Sequence, residues 1–479
     1  MKKVLLIVLS LSLVVTSCKS DELYENLNRD PKNPTQVAAD FLYNSATKSL
    51  IDQVTSTNVN RNIYRLLAQY WTQTTYTDES NYDFVTRNIP QYHWSETYRD
   101  VLLDLKTSVE VVNNDEALSQ SEKDARNAQA EILMIYAWQH LVDSFGDIPY
   151  SEALGEETLP AYDDAATIYT DLINRINAAI PNLSGSGYSS VDQLYGGDSA
   201  SWVKFANSLK LRLGIRLTDV NPSLAQSTVE SAVSGGVFTS NADNATIHYM
   251  SSTPNTNPLW VDLVQSGRAD FVAANTIVDI MNNIDDPRRS EYFDQNLGSG
   301  VYTGGAYGDN NSFPNFTHIR GKDDNTYMHD PTFAANLLDF SEVSFYLAEA
   351  AERGYTVGGT AEEHYNNGIA ASFEAWGSSD LATYMANPDV AYSTAPGTWK
   401  EKIGLQFWLA MYNRGFEGWT VWRKFDTPDL NIPVVSGSPV PTRYTYPVNE
   451  QNLNEANWEA ASSAIGGDTQ TTKLFWDVD

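Results

Sequence analysis

The sequence predicts a mostly α-helical fold: a tetratricopeptide-like scaffold of helix pairs, wound as a right-handed superhelix, with an irregular, loop-rich lobe. Apolar residues recur at helical spacing through much of residues 36–235 and 339–376. Two neighbouring helices between 341 and 377 form a unit of about 34 residues, the length of a tetratricopeptide repeat. Residues 236–338 and 377–400 are instead rich in Gly, Asn, Asp, Ser, Pro and aromatic residues, with little periodicity.

The first residues have the layout of a secretory signal. Two lysines precede an apolar run at 4–15, which is shorter than the roughly 20 residues that span a bilayer. Residues 15–18, "VTSC", resemble the lipobox of bacterial lipoproteins, in which cleavage falls before a cysteine that carries lipid. We therefore expect residues 1–17 to be a signal peptide and Cys18, the only cysteine, to be a lipid anchor. The alternative is a secreted protein with a stray cysteine.

Composition restricts the classes of partner. The chain has 31 Lys and Arg against 61 Asp and Glu, a formal net charge of −30. Nucleic acid is excluded as a partner, because its binding relies on clustered basic side chains that neutralise phosphates. With the one cysteine assigned to lipid, no disulfide is expected and the core must stabilise the fold. No later segment approaches 18 consecutive apolar residues, so the mature chain is not expected to cross the membrane itself.

Helices are predicted to follow a polar, lipidated tether at 18–35. The strongest pattern lies at 130–150, where apolar residues share one face and Gly146 ends the helix. Ser119, three residues before Glu122, predicts a capping box that opens this helix. We expect everything from residue 36 to residue 479 to form a single body.

Three further helices carry the scaffold. Residues 202–217 place Trp202 and four other apolar residues on one face. Residues 341–355 and 361–377 form the tetratricopeptide-like pair, and Thr360 with Glu363 predicts a capping box at the start of its second helix. One pair cannot bury its own apolar face, so other pairs must stack on it.

Two further helical patterns occur, one within the lobe and one after it. Residues 269–284 are its one stretch with helical periodicity. Residues 406–425 place aromatic residues at steps of three or four, which favours a buried helix stripe over a binding surface. The stripe comprises Trp408, Tyr412, Phe416 and Trp419.

Enzyme signatures are missing from the sequence. It contains no G-x-S-x-G elbow, phosphate loop or dinucleotide fingerprint, and its six histidines show no paired metal-ligand spacing. We therefore expect no catalytic residue, metal or cofactor. A glycoside hydrolase needs only two carboxylates at the right separation, and counting 61 acids does not exclude one.

Aromatic residues are the informative part of the composition: 12 Trp, 27 Tyr and 17 Phe. A sugar ring is bound by a flat aromatic face together with planar polar groups, since its C–H face is apolar and its hydroxyls need directed hydrogen bonds. Residues 74–88 combine these types, either as a binding loop or as a surface loop whose tyrosines lean on the body. The candidates there are Tyr76, Asn81, Tyr82, Asp83 and Arg87.

Two glycine- and asparagine-rich segments supply further candidates. Residues 253–260 contain Trp260, and residues 302–316 contain Tyr307. Trp138 and Trp202 lie in apolar helices, so we expect both in the core.

Several segments, taken in order, resemble the SusD/RagB family, and specifically its SusD-like branch of outer-membrane nutrient-binding lipoproteins. The resemblance covers nearly all of the mature chain. It rests on "NLNRDPKNPT" (27–36), "LLAQYWTQ" (66–73), "WSETYRDVL" (94–102), "LVDSFGDIPYSEAL" (141–154), "WVKFANSLKLRL" (202–213), "DPRRSEYF" (286–293), "SEVSFYLAEAAERG" (341–354), "KIGLQFWLAMYNRGFEGWTVWRK" (402–424) and "RYTYPVNEQNLNEANW" (443–458).

This resemblance implies four tetratricopeptide-like helix pairs plus an irregular ligand-binding lobe. It also implies a lid over a SusC-like TonB-dependent transporter, holding an oligosaccharide outside the cell, with the helical repeats facing the transporter. The acids after Cys18 resemble a short export signal to the outer face of the outer membrane, although Lys19 interrupts its start. Trp71 and Trp94 lie in widely shared segments, which indicates core packing.

The leading hypothesis is a non-catalytic glycan-binding lipoprotein, in which Tyr76, Tyr82 and Trp260 stack on sugars. The planar side chains of the same loop would bond sugar hydroxyls. Capture of oligopeptides, as in some relatives, would rely on backbone pairing and pockets more than on stacked rings. A glycan-cleaving enzyme is the third hypothesis.

Overall fold

A computed structural model describes residues 37–322 and 324–478. The expected signal peptide, the lipid anchor at Cys18 and the tether at 18–35 lie outside these residues. Within the described ranges, no helix has both the length and the apolar character that a bilayer span requires.

Helices dominate the first half of the chain. A π-helical segment, Glu96–Leu103, joins the third helix to the fourth. The helices are α1 (Ala39–Thr55), α2 (Tyr64–Leu67), α3 (Ile89–Ser95), α4 (Asp104–Asn114), α5 (Gln120–Phe145), α6 (Ala165–Ala179), α7 (Ser199–Arg216) and α8 (Pro222–Gly235).

Shorter helices occupy the lobe, and longer ones return after it. A π-helical segment, Val261–Gln265, follows α9. The helices are α9 (Pro258–Trp260), α10 (Asn275–Asn283), α11 (Arg289–Tyr292), α12 (Phe340–Glu352), α13 (Ala361–Trp376), α14 (Leu381–Met385), α15 (Trp399–Ala410), α16 (Gly415–Phe425), α17 (Val448–Leu453) and α18 (Glu455–Ala464).

The described residues form three short antiparallel strand pairs, two of which connect distant segments. The first pairs β1 (Trp71–Gln73) with β5 (Phe271–Ala273), placing Trp71 opposite Ala273. The other two pairs are β2 (Ile148–Pro149) with β3 (Tyr162–Asp163), and β4 (Ala245–Ile247) with β6 (Ala335–Leu338). The β1–β5 pair fastens the first half of the chain to the lobe.

The long helices pack as pairs, which confirms the predicted helical scaffold. The pairs are α1 with α4, α5 with α6, α7 with α8, α12 with α13 and α15 with α16. Contacts of α4 with α5, of α6 with α7 and of α7 with α12 then stack one pair on the next.

Predicted helix ends agree with the structure where a cap specifies them. Ser119 and Glu122 form the capping box of α5, and the helix ends at Gly146, whose φ of 88° only glycine adopts readily. Thr360 and Glu363 form the capping box of α13.

Two element predictions are wrong in part. The helical pattern at 269–284 covers α10 only, because Phe271–Ala273 pair with β1 as a strand. The stripe at 406–425 is divided between α15 and α16 by a turn at 411–414. Its four aromatic side chains are nonetheless all buried, as predicted.

All six tryptophans that the sequence assigned to the core are buried there. Their side chains pack in the main apolar cluster, where each buried ring contributes roughly 2–3 kcal/mol through the area it removes from water. They are Trp71, Trp94, Trp138, Trp202, Trp408 and Trp419.

Candidate functional site

The β1–β5 pair brings the predicted binding loop against the lobe. Beyond Gln73, the Thr74 amide donates to the Asp270 carbonyl at 2.9 Å, and the Thr74 hydroxyl donates to the Ala269 carbonyl at 2.7 Å. Residues 74–88 therefore lie beside residues 261–270, although some 190 positions separate the two segments.

A groove of about 400 Å³ opens between these segments and the turn after α1. We call it the Tyr76 groove. Its walls include Asn58, Asn60, Tyr76, Arg87, Asp262, Arg268, Asp270 and Phe271.

Tyr76 supplies the exposed aromatic face of the groove. Its side chain is 67% exposed, and the Arg268 guanidinium lies 5.8 Å from the centre of the ring. Such a cation–π contact holds the ring in place while much of its surface stays open. An exposed, oriented ring of this kind suits the apolar face of a sugar.

Two arginines are fixed in the wall by carboxylates. Arg87 Nε donates to Glu79, which is fully buried and also accepts from Gln73 Nε2 at 2.6 Å. Arg268 Nε donates to Asp270 in the same way. Because each contact uses Nε, the Nη groups of both arginines are left to donate to hydroxyl, carbonyl or carboxylate oxygens of a ligand.

Asp262 is the acidic group on the opposite wall. Its carboxylate accepts from Asn58 Nδ2 at 3.2 Å and from Ser56 Oγ at 3.4 Å. Burial, only partly offset by these hydrogen bonds, raises the pKa of Asp262 to about 6. The group therefore changes protonation close to neutral pH.

Of the predicted loop residues, Tyr76 and Arg87 line the groove, whereas Asn81 and Asp83 hold the loop together. Asn81 Nδ2 donates to the carbonyls of Thr77 and Gly308, and its Oδ1 accepts from the Ser436 amide. Asp83 accepts from the amide and the hydroxyl of Thr86. Asp83 thus satisfies the backbone of its own turn, whereas Asn81 also ties the loop to the segments at Gly308 and Ser436.

The predicted stacking role of Tyr82 and the predicted ligand contact of Tyr307 are wrong, because both rings are buried. Tyr82 is 3% exposed and accepts from Gln69 Nε2 at 3.0 Å; Tyr307 is 1% exposed and donates to the Leu66 carbonyl at 2.6 Å. Their ring centres lie 5.9 Å apart, and burial raises the pKa of each phenol. The two rings pack under residues 74–88, and neither has an exposed face that a ligand could contact.

Trp260 lies apart from the other candidates. It is half-buried at the end of α9, immediately before the π-helical segment that carries Asp262, and it does not line the Tyr76 groove. Its predicted contact with a ligand stays a prediction.

Sequence reasoning missed most of the opposite wall. Asn58 and Asn60 follow α1, Asp262 precedes the segment "SGRAD" (266–270), and Arg268 and Asp270 belong to that segment, which carries no motif. The close pair of charges at Arg268 and Asp270 was the one local signal. In residues 37–322 and 324–478, no group of three or more His, Cys, Asp or Glu side chains is arranged to hold a metal ion.

A family model and several solved structures match this chain over most of its length. A family model, SusD-like_2, described as "Starch-binding associating with outer membrane", matches residues 31–447. A solved structure described as a chitin-binding protein is 27% identical, covers 92% of this chain and 100% of its own, and has a TM-score of 0.78.

Two other solved structures match over similar lengths. A chitin-binding SusD homologue from Flavobacterium johnsoniae is 25% identical over 91% of this chain and 99% of its own, with a TM-score of 0.77. A SusD homologue from Bacteroides uniformis is 26% identical over 92% and 100%, with a TM-score of 0.75. None of the curated proteins compared with the chain matches it.

Proposed function

The chain belongs to the SusD-like family, and from that membership we propose that it captures oligosaccharides at the cell surface without cleaving them. The Tyr76 groove is the observation that carries this proposal. The groove has a volume of about 400 Å³, and its walls carry the exposed Tyr76 ring, two arginines bonded to carboxylates, and the carboxyl group of Asp262.

The chemistry of the groove suits a polyhydroxylated ring. The Tyr76 ring packs on the C–H face of a sugar, while Arg87 and Arg268 donate to its oxygens and Asp262 accepts from a hydroxyl. Each of these hydrogen bonds replaces one to water, so the net gain per sugar is small and binding at one groove is of modest affinity.

Delivery forms the second part of the proposal. The protein is held in the outer membrane by lipid on Cys18, faces outward, and passes its cargo to a SusC-like TonB-dependent transporter. The family description, "associating with outer membrane", and the lipobox-like residues 15–18 support this arrangement.

Affinity gel electrophoresis tests the binding step. Soluble starch and glycol chitin are the first polymers to try, because the family description names starch and two similar structures are described as chitin-binding. We expect at least one polymer to retard the wild-type protein, and a Tyr76→Ala/Arg268→Ala variant to migrate as it does in a gel without polymer.

Three other outcomes would contradict the proposal. Release of reducing sugar on incubation would identify an enzyme. Binding of casein digests with indifference to every glycan would favour peptide capture. Retardation equal in the wild type and the double variant would move the site away from the Tyr76 groove.

A further inference from the structure

A second groove lies at the other end of α1. It has a volume of about 480 Å³, and we call it the Phe41 groove. The residues that matter for its chemistry are Phe41, Asn44, Lys48, Gln193, His248 and Met250.

The Phe41 groove combines exposed apolar and polar side chains. Phe41 is 71% exposed and Met250 is 59% exposed, so both present apolar surface to solvent. Amide, ammonium and imidazole groups line the same space. A flat ring beside several hydrogen-bonding groups is the combination that also characterises the Tyr76 groove.

Hydrogen bonds hold the walls of this groove in position. Gln193 Nε2 donates to Asn44 Oδ1 at 2.5 Å, and the Met250 amide donates to the Asn255 carbonyl at 2.8 Å. Tyr249 donates from its hydroxyl to Asp52 Oδ1 at 2.9 Å, tying this loop to α1. The groove is therefore part of the folded body, formed before any ligand binds.

Both grooves lie between the chain segment 247–271 and α1 or the turn that follows it. Residues 41, 44, 45, 48 and 52 fall on a single face of α1, since they follow helical steps of three and four, and Ser56 is the residue that caps its C-terminus. The Phe41 groove residues lie on the first half of this face. Asp52, in the last turn of α1, accepts from Tyr249, and Ser56, immediately after the helix, donates to Asp262. Segment 247–271 contributes to the wall of both grooves, together with Gln193 in the Phe41 groove and with Tyr76 and Arg87 in the Tyr76 groove.

We propose that the Phe41 groove is a second binding subsite for the glycan chain that occupies the Tyr76 groove. The inference rests on the proposed function and adds to it the length of the ligand. From Phe41 to Thr55, α1 rises roughly 21 Å, a distance longer than a trisaccharide. The preferred ligand is therefore a polymer or a long oligosaccharide, held at two points along α1.

Two-point binding makes affinity depend on ligand length. Once one end of a long chain is bound, the second contact is intramolecular, so the polymer binds far more tightly than a short oligosaccharide of the same sugar. A short oligosaccharide gains nothing from the Phe41 groove when it occupies the Tyr76 groove.

The test compares Phe41→Ala with Leu453→Ala, a control on α17 whose side chain is 72% exposed. The probes are glycol chitin with tri-N-acetylchitotriose, and soluble starch with maltotriose. Polymer affinity is measured by affinity gel electrophoresis and trisaccharide affinity by calorimetry. We expect Phe41→Ala to weaken polymer binding about tenfold and to leave trisaccharide binding at the wild-type value.

The outcomes separate the two proposals. Polymer binding by Phe41→Ala equal to that of Leu453→Ala would overturn the second subsite, while weakened binding by Tyr76→Ala would still uphold the Tyr76 groove. Equal weakening of trisaccharide and polymer by Phe41→Ala would also overturn it, since Phe41 would then belong to the primary site. A wild-type protein that binds neither polymer contradicts the proposed function and the subsite with it.

Discussion

Tyr76 and Tyr82 show that the surroundings of a residue, and not its backbone conformation alone, decide the role of its side chain. They lie six residues apart, and both have a left-handed backbone, with φ of 56° and 65°. Such a conformation costs a bulky residue on the order of 1 kcal/mol and persists only where the surroundings hold it. Although the two residues share this conformation, the Tyr76 ring is exposed, whereas the Tyr82 ring is buried against Tyr307 and bonded to Gln69.

Replacement of Tyr76 tests the exposed ring directly. We expect Tyr76→Ala to weaken glycan binding roughly tenfold, which corresponds to about 1.4 kcal/mol, because the stacking surface is lost. Tyr76→Phe keeps the ring and should bind within about twofold of wild type if stacking dominates. Calorimetry gives both values.

Val85→Ala is the matched control in the same loop, since Val85 is 71% exposed and does not line the Tyr76 groove. Its affinity should equal that of the wild type. If Tyr76→Phe binds as weakly as Tyr76→Ala, the hydroxyl carries the interaction and the stacking argument is wrong.

Asp262 links binding to pH and to stability. Its pKa of about 6 in the folded protein, against 3.8 for an ordinary aspartate, means that the fold favours the protonated form. The stabilisation is fully present below about pH 4 and is lost as the pH rises through about 6. At pH 7 the ionised group costs up to about 3 kcal/mol.

We therefore expect Asp262→Asn to unfold at higher urea concentration than wild type at pH 7, and the difference to shrink as the pH falls to 4.5. The same variant should bind glycan more weakly at pH 7, because it lacks the charged acceptor. Equal stability of the two proteins across this pH range would show that the ionised Asp262 carboxylate does not destabilise the folded protein.

At the scale of elements, helices were predictable and the strands were not. Caps such as Ser119 with Glu122, and apolar spacing over long segments, specify helices locally. A three-residue strand such as β5 has no comparable signal, and its helix-like spacing at 269–284 was misleading. Strand pairing depends on a partner some 200 residues away, which periodicity does not show.

The candidate site was predictable only in part for the same reason. Residues 74–88 were recognisable from composition, and two of five predicted side chains, Tyr76 and Arg87, line the groove. Which tyrosine is exposed depends on the β1–β5 pair and on the support from Tyr307 and Gln69. The other wall comes from distant segments with no motif, so local reasoning could not find it.

Gly368 tests the packing of the helix pair that identified the scaffold. It lies in α13, and an added Cβ would be 2.7 Å from the Phe345 ring of α12. Phe345 is fully buried and stacks on Phe407 at 5.1 Å, so it has little room to move. We expect Gly368→Ala to lower the free energy of unfolding by about 1–3 kcal/mol, as measured by urea denaturation.

Gly155→Ala is the control for this variant. An added Cβ there meets nothing closer than 3.7 Å, and the backbone is not left-handed. Its stability should stay within about 0.5 kcal/mol of wild type. Equal stability of Gly368→Ala and wild type would mean that the two helices are not in close contact at this point.

At the scale of the whole molecule, a buried ionic network joins scaffold and lobe. Arg212 of α7 donates from Nε to Glu342 of α12 at 2.7 Å, and its Nη1 lies 3.3 Å from Glu417 of α16. Arg212 Nη2 also donates to the Leu337 carbonyl in β6 at 3.2 Å. Neither Arg212 nor Glu342 has an exposed side chain. With Gln139 of α5, which lies 3.3 Å from Nη1, one guanidinium contacts four elements besides its own α7.

Arg212→Leu should therefore destabilise the entire body. It leaves the buried Glu342 with Arg414 as its remaining charged partner among the described residues, and loss of one member of a buried pair costs about 3–5 kcal/mol. Because the network joins scaffold and lobe, tryptophan fluorescence and far-UV circular dichroism should report the same lowered guanidinium midpoint. Arg99→Leu breaks the exposed Arg99–Asp100 pair and should change stability by less than about 1 kcal/mol. Separate transitions for the two probes in Arg212→Leu, with a wild-type midpoint for one of them, would show that scaffold and lobe unfold independently and that the network does not couple them.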